Sequence, residues 1–278
     1  MADNDKWKDF LAEIQAIDKG ITLPPPPTLQ QASGVNLRPI VVKSVSDSST
    51  SSNIEEAVDK TDAEVSKAEK SYINKLLSTK LVETQACDIE MLREDPSSPL
   101  HSAKTFQDLD LDPRLLKGIA SLGYYKPSAI QEKALPYLIG DRPRNMIAQA
   151  QSGTGKTATF LLAMLSRADA NLERCQCLCL APTRELAMQI ANVGREMARF
   201  IPQISFGLAI RGEVPETDQD GNVKNQVVIG TAGTVSLWMR GTGAYHIDRM
   251  ALRMFVLDEA DIMMEESGFL HISKRIVQ

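Results

Sequence analysis

The chain has 278 residues, of which 43% are hydrophobic, with a formal net charge of -5. It contains no apolar run of about 18 residues and no charged-then-apolar N-terminus, so neither membrane insertion nor secretion is expected, and the chain is read as intracellular. Residues 1–100 carry 11 Lys and Arg against 17 Asp and Glu, whereas residues 101–278 carry 20 against 19. A near-neutral body with an acidic arm excludes polyanion binding by bulk charge, so any nucleic-acid contact must be local and arranged by motif.

In chain order, an amphipathic helix is expected over about 4–19, where Trp7, Phe10, Leu11, Ile14 and Ile17 recur at helical spacing and Gly20 ends the pattern. It could dock on a partner or fold back on the body. A Pro- and Ser-rich linker over 21–53 follows, extended at Pro24 to Pro27 and almost wholly polar from Ser44 to Asn53. Thr61 and Glu64 form a capping-box spacing ahead of a helix over about 61–82, with Val65, Ala68, Tyr72, Ile73, Leu76 and Leu77 on one face. A turn-rich break from Asp95 to Pro99 divides this arm, 1–100, from a folded body, 101–278.

Within the body the pattern predicts helices over 113–122 and 129–138, a strand over 145–148, a helix over 158–167 and a strand over 175–180. A helix over 184–200, strands over 205–210 and 226–229, a helix near Val235 and a strand over 254–257 complete it. That rhythm predicts an α/β fold, a parallel sheet flanked by helices with its chemistry at the strands' carboxyl ends. Cys175, Cys177 and Cys179 alternate and are expected to share one strand face. Two-residue spacing on a rigid strand suits tetrahedral ligation poorly and no His is near, so buried small hydrophobes are favoured over a metal site.

Two segments carry chemistry. Ala150-Gln151-Ser152-Gly153-Thr154-Gly155-Lys156-Thr157 matches the phosphate-binding loop pattern, with Ala150 where a Gly would open it, between a strand and a helix. Gly153 and Gly155 let backbone N–H groups approach a pyrophosphate, Lys156 offers a point charge, and Thr157 offers a hydroxyl to Mg²⁺. Asp258-Glu259-Ala260-Asp261 follows an apolar strand run, which suits Asp258 to Mg²⁺ and Glu259 to orienting an attacking water. Either segment alone could be an ordinary loop or helix cap; together they point to ATP or GTP.

Read in order, GYYKPSAIQ, AQSGTGKT, PTRELAMQ and DEAD resemble the DEAD-box ATP-dependent RNA helicases, whose lobes are RecA-like P-loop NTPase folds. The resemblance implies that Gln131 reads the adenine edge and Phe106 stacks on the base, favouring ATP over GTP; the plainer reading of Gln131 is a capping box with Ser128. It implies that Pro182, Thr183 and Arg184 meet an RNA phosphate, as do Gly212, Thr231 and Gly233. At two of these places the pattern departs from the family: Arg211-Gly212 replaces a common Gly pair, and Ala232 stands where Pro is usual.

The stretches KLVETQACDIEMLREDPSSPLHSAKTF and NMIAQAQSGTGKTATFLLAMLSR are similar to the mRNA-export helicases of the nuclear pore, over roughly 71–278. That implies a monomer working with RNA, pore and export proteins, in cytoplasm and nucleus, with the 61–82 helix restraining the ATPase. The sequence stops at Gln278, before the family's Ser-Ala-Thr motif and second lobe. The expectation is therefore a partial lobe with a gap between the phosphate-loop strand and the DEAD strand, poor in hydrolysis and unable to unwind RNA alone. The alternative is a non-catalytic module that binds nucleotide or a partner.

Overall fold

The computed structural model describes residues 102–140, 143–241 and 243–265, and the backbone of two strands in the arm. The helices expected over 4–19 and 61–82 lie outside the described residues. Two sheets form. One runs β5 (Phe206–Ala209), β6 (Val227–Thr231), β4 (Cys177–Ala181), β7 (Met254–Leu257), with every pairing parallel. The other runs β2 (Asp88–Leu92), β1 (Ile40–Val45), β3 (Met146–Gln149), antiparallel then parallel.

Helices cover both faces of the four-stranded sheet because its strands alternate. Cys177, Cys179, Val227 and Ile229 point to a core shared with α1 (Pro113–Ser121), α3 (Lys156–Arg167) and α4 (Arg184–Met197). Leu178, Leu180 and Val228 point the other way, to α5 (Ala232–Arg240) and to Met263 of α6 (Ala260–Glu265). A run buried on both sides is the mark of a central parallel strand, and all five residues of β4 are buried. Sequence caps set the helix starts: Asp112 accepts from Arg114 N at 2.7 Å with Pro113 as first residue of α1, and Thr183 accepts from Leu186 N at 3.2 Å to open α4.

Three expectations change. The stretch 21–53, read as linker, contains β1, whose backbone pairs Ile40 with Met146 through Lys43 with Gln149. The β-branched run Ile40-Val41-Val42 suits a strand, and β3 needs partners for its own backbone groups. The second concerns the thiols. Cys175 precedes β4 and packs in the Leu178 and Leu180 core, opposite Cys177 and Cys179. The strand starts irregularly, since Gln176 N and Cys177 N both donate to Gln226 O, at 2.9 and 3.0 Å, and this resets the alternation. Third, the arm is not separate from the body: it supplies the sheet that holds β3. Among the described strands, β3 and β7 stand in different sheets.

Candidate functional site

The phosphate-loop sequence folds as a turn between β3 and α2's neighbour, α3, where α2 is Ala129–Ile139. Gly153 and Gly155 take φ of 84° and 97°, the left-handed region in which successive N–H groups gather into an anion-binding concavity. A side chain at 155 is excluded twice over, by that φ and because a Cβ there would lie 2.8 Å from Gln131 Nε2. Lys156, the first residue of α3, folds its ammonium back to donate to the carbonyl oxygens of Ala150 and of Gln151, the latter at 3.4 Å. Thr154 Oγ1 donates to Gln151 O at 2.8 Å. Ala150, Gly153, Thr154 and Thr157 are half-buried, and Gln151 and Ser152 are exposed.

Gln131 ties this loop to the preceding helix, α2. Its Oε1 accepts from Ser128 N at 2.9 Å, the capping-box bond, while Nε2 donates to Gly155 O at 3.3 Å. The side chain is thus both cap and loop brace, with the residue 4% exposed. Phe106 is 2% exposed and packed in the core with Leu109 and Leu115, so its ring presents no face to solvent. Its position at the start of a 3-10 turn, Phe106–Leu109, points it inward. The exposed aromatic of this region is Tyr125, at 78%.

Asp258 is 5% exposed, directly after β7, and its N donates to Leu180 O at 2.9 Å. Glu259 has φ of 50°. A non-glycine residue in this region is uncommon, and it turns the Glu259 side chain away from the path a continuing strand would give it. Nothing in the DEAD spelling announces that turn. Helix α3, opened by Lys156 and Thr157, packs against β7 and so brings the two motif-bearing elements together.

The remaining candidates line up by register. Ala209 of β5 pairs with Gly230 of β6, Gly230 with Leu180 of β4, and Leu180 with Leu257 of β7. Four chain segments therefore leave the same sheet edge in the order Arg211-Gly212, Thr231 to Gly233, Pro182 to Arg184, Asp258-Glu259. Pro182 is buried, Thr183 and Thr231 are half-buried, and Arg184, Gly212 and Gly233 are exposed. Thr231 is the N-cap residue of α5, whose first residue, Ala232, is fully buried. Pro also favours that first helical position, so Ala232 keeps the backbone role without the fixed φ. Two buried glutamines that sequence reasoning passed over hold the opposite, N-terminal end of the sheet. Gln176 Nε2 donates to Asp169 O and Leu172 O at 2.8 and 2.9 Å, and Gln226 Oε1 accepts from Ser205 N at 2.9 Å.

The three described thiols form no disulfide and are wholly buried, and no cluster of metal-ligating side chains occurs among the described residues. Burial pushes the Cys177 thiol up to about 12, with Arg167 and Arg253 opposing it, and pushes Cys175 up as well. They are packing residues, not nucleophiles.

A parallel sheet with helices on both faces, a glycine-bearing loop between strand and helix, and an acidic pair after a strand packed against that helix define the nucleotide-binding lobe of a P-loop NTPase. The DEAD/DEAH box helicase family model matches residues 128–278, and the chain belongs to that family. ATP-dependent RNA helicase DDX19A of Homo sapiens is 45% identical over 220 residues, covering 78% of this chain and 45% of that protein. Among solved structures, S. cerevisiae Dbp5 L327V bound to RNA and ADP BeF3 matches with a TM-score of 0.57 at 43% identity, covering 63% of this chain and 44% of that one. The same yeast protein bound to Nup159, Gle1 H337R, IP6 and ADP matches with a TM-score of 0.54 over 60% of this chain and 44% of that one. The chain thus spans less than half the length of these relatives.

Proposed function

We propose that this chain is the nucleotide-binding lobe of an ATP-dependent RNA helicase that remodels RNA or RNA–protein complexes, in mRNA export at the nuclear pore. The observation that carries the reading is the register-fixed row of strand ends, which sets the Arg184 and Thr231 segments beside Asp258-Glu259 on one sheet edge. Phosphate contacts that only position a strand need donors and positive charge, not base readout, and this row supplies both. Lys156 would exchange its loop carbonyl partners for phosphate oxygens, and the Gly153 and Gly155 backbone would line the phosphates. Gln131 would meet an adenine edge by exchanging its Nε2 bond to Gly155 O for one to the base. Thr157 and Asp258 are the hard oxygen donors that would hold Mg²⁺, which when bound neutralises charge on the phosphates. Glu259 would orient the attacking water.

By likeness to the yeast protein bound to Nup159 and Gle1, pore proteins of that kind are the partners proposed here, and the nuclear pore is the proposed place of work. Titration of the chain with fluorescent ADP and Mg²⁺, beside Lys156→Ala, tests the core of this reading. Saturable binding that the variant loses is expected; absence of binding in the unaltered chain overturns it. The second reading, a non-catalytic nucleotide-binding module, is favoured by the placement of β3 and β7 in separate sheets. ADP binding without any binding of RNA would select it.

A further inference from the structure

We infer that Arg211 is a second cationic contact on the nucleic-acid path, working beside Arg184, and this rests on the RNA reading above. Arg211 lies two residues beyond β5, and Arg184 three beyond β4, with the end of β6 between them. Arg184 bridges that interval: its Nη1 donates to the carbonyl oxygen of Arg211 at 3.3 Å. The contact draws the Arg184 side chain across the sheet edge to the turn that bears Arg211.

That turn is built to present a side chain. Glu213 N donates to Ile210 O at 3.2 Å, and Gly212 takes φ of 91°. A four-residue turn closed this way, with glycine in the left-handed region at its third position, puts Arg211 at the outer corner. Ile210, 1% exposed, anchors the turn in the sheet, while Arg211 is exposed. Among the described residues the Arg211 side chain enters no hydrogen bond or ion pair, and Arg184 has no carboxylate partner, although Glu185 and Glu213 are close in sequence. Two arginines thus stand at one edge with neither in an ion pair among the described residues, beside Thr231 and the Gly233 backbone. A phosphate passing between them would meet positive charge from both. Here the departure from a Gly pair replaces backbone approach with charge.

The test is fluorescence anisotropy of a labelled oligouridylate with the 278-residue chain across a salt series. Arg211→Ala is expected to weaken binding about fivefold at low salt and to flatten the log–log salt slope by about 0.7, the contribution of one single-strand phosphate. Arg211→Lys should recover the slope, because charge and not shape carries the contact. Fluorescent-ADP affinity equal to that of the unaltered chain shows that the lobe is intact; should the alanine variant fail to fold, the longer, neutral Arg211→Gln gives the same comparison. Arg184→Ala separates the two levels of the claim. If it weakens RNA binding while Arg211→Ala does not, this inference falls and the RNA reading stands. If the unaltered chain does not bind the oligonucleotide, or neither substitution matters, both fall. Weaker binding with an unchanged slope and no recovery in Arg211→Lys would make Arg211 structural and overturn the inference.

Discussion

The two sheets differ in how deeply they are set. In the four-stranded sheet β4 is buried throughout, and β6 is buried except at Thr231. The strand that delivers the phosphate loop is the contrary case: Met146 and Ile147 of β3 are half-buried, and Ala148 and Gln149 are exposed. Its helix is not thin at all, since Leu161, Leu162, Ala163 and Met164 of α3 are fully buried. The phosphate loop therefore owes its shape to the helix behind it and to the Gln131 brace, while its own strand leans on β1. Binding loops are drawn from the less stable parts of a fold, and here that part is a sheet shared with the arm.

The contrast predicts a ranking of effects. Leu178→Ala should cost about 2–5 kcal/mol in urea unfolding, as expected for a large-to-small change in a closed core. Ile147→Ala in β3 should cost well under half of that; equal costs would break the comparison. Val42→Pro removes a backbone donor from the middle strand of β2-β1-β3, a local loss of about 1–3 kcal/mol. Hydrogen exchange should then show β3 amides deprotected and β4 and β6 amides unchanged, and loss of protection in both sheets would mean that they unfold as one unit. Gly155→Ala should cost about 1–3 kcal/mol through its left-handed backbone, with weaker ADP binding, although it touches neither sheet's core.

The remaining effect, absent at neutral pH, is the alkaline one. Between pH 9.0 and about 12 the unfolded chain releases the Cys177 proton and the folded chain keeps it, so stability falls as pH rises through that window. Cys177→Ala should flatten this decline relative to the unaltered chain in thermal melts at a series of pH values. An identical decline would show that water reaches the β4 core.

Much of this arrangement was legible in the residues. The apolar runs of β4 and β6 announced buried parallel strands within one or two residues of their ends, because a strand covered on both faces has no polar side to confuse the pattern; half-buried β7 was legible from its apolar run alone. The phosphate loop and the Asp258-Glu259 pair were legible because glycine, lysine and carboxylates at those spacings have few other uses. β1 was not, since its short β-branched run sits between a Pro-rich and a Ser-rich stretch whose composition speaks for linker. Cys175 was misplaced because alternation presumes a regular strand, and two donors on Gln226 O break the regularity. Phe106 shows a limit of another kind: a motif position implies a contact, but burial at 2% depends on packing with residues distant in sequence. The left-handed turn at Glu259 left no trace in composition.

The bond from Asp258 N to Leu180 O has a mechanical meaning. Leu180 stands two residues before Pro182, so the acidic pair and the Thr183 helix start hang from the same rung of the ladder. Adjacent strands lie about 4.8 Å apart, which makes the edge from Arg211 to Asp258 a ruler of three intervals, about 14 Å long. Tension applied anywhere along that ruler reaches the acidic pair through backbone bonds, without passing through a flexible side chain.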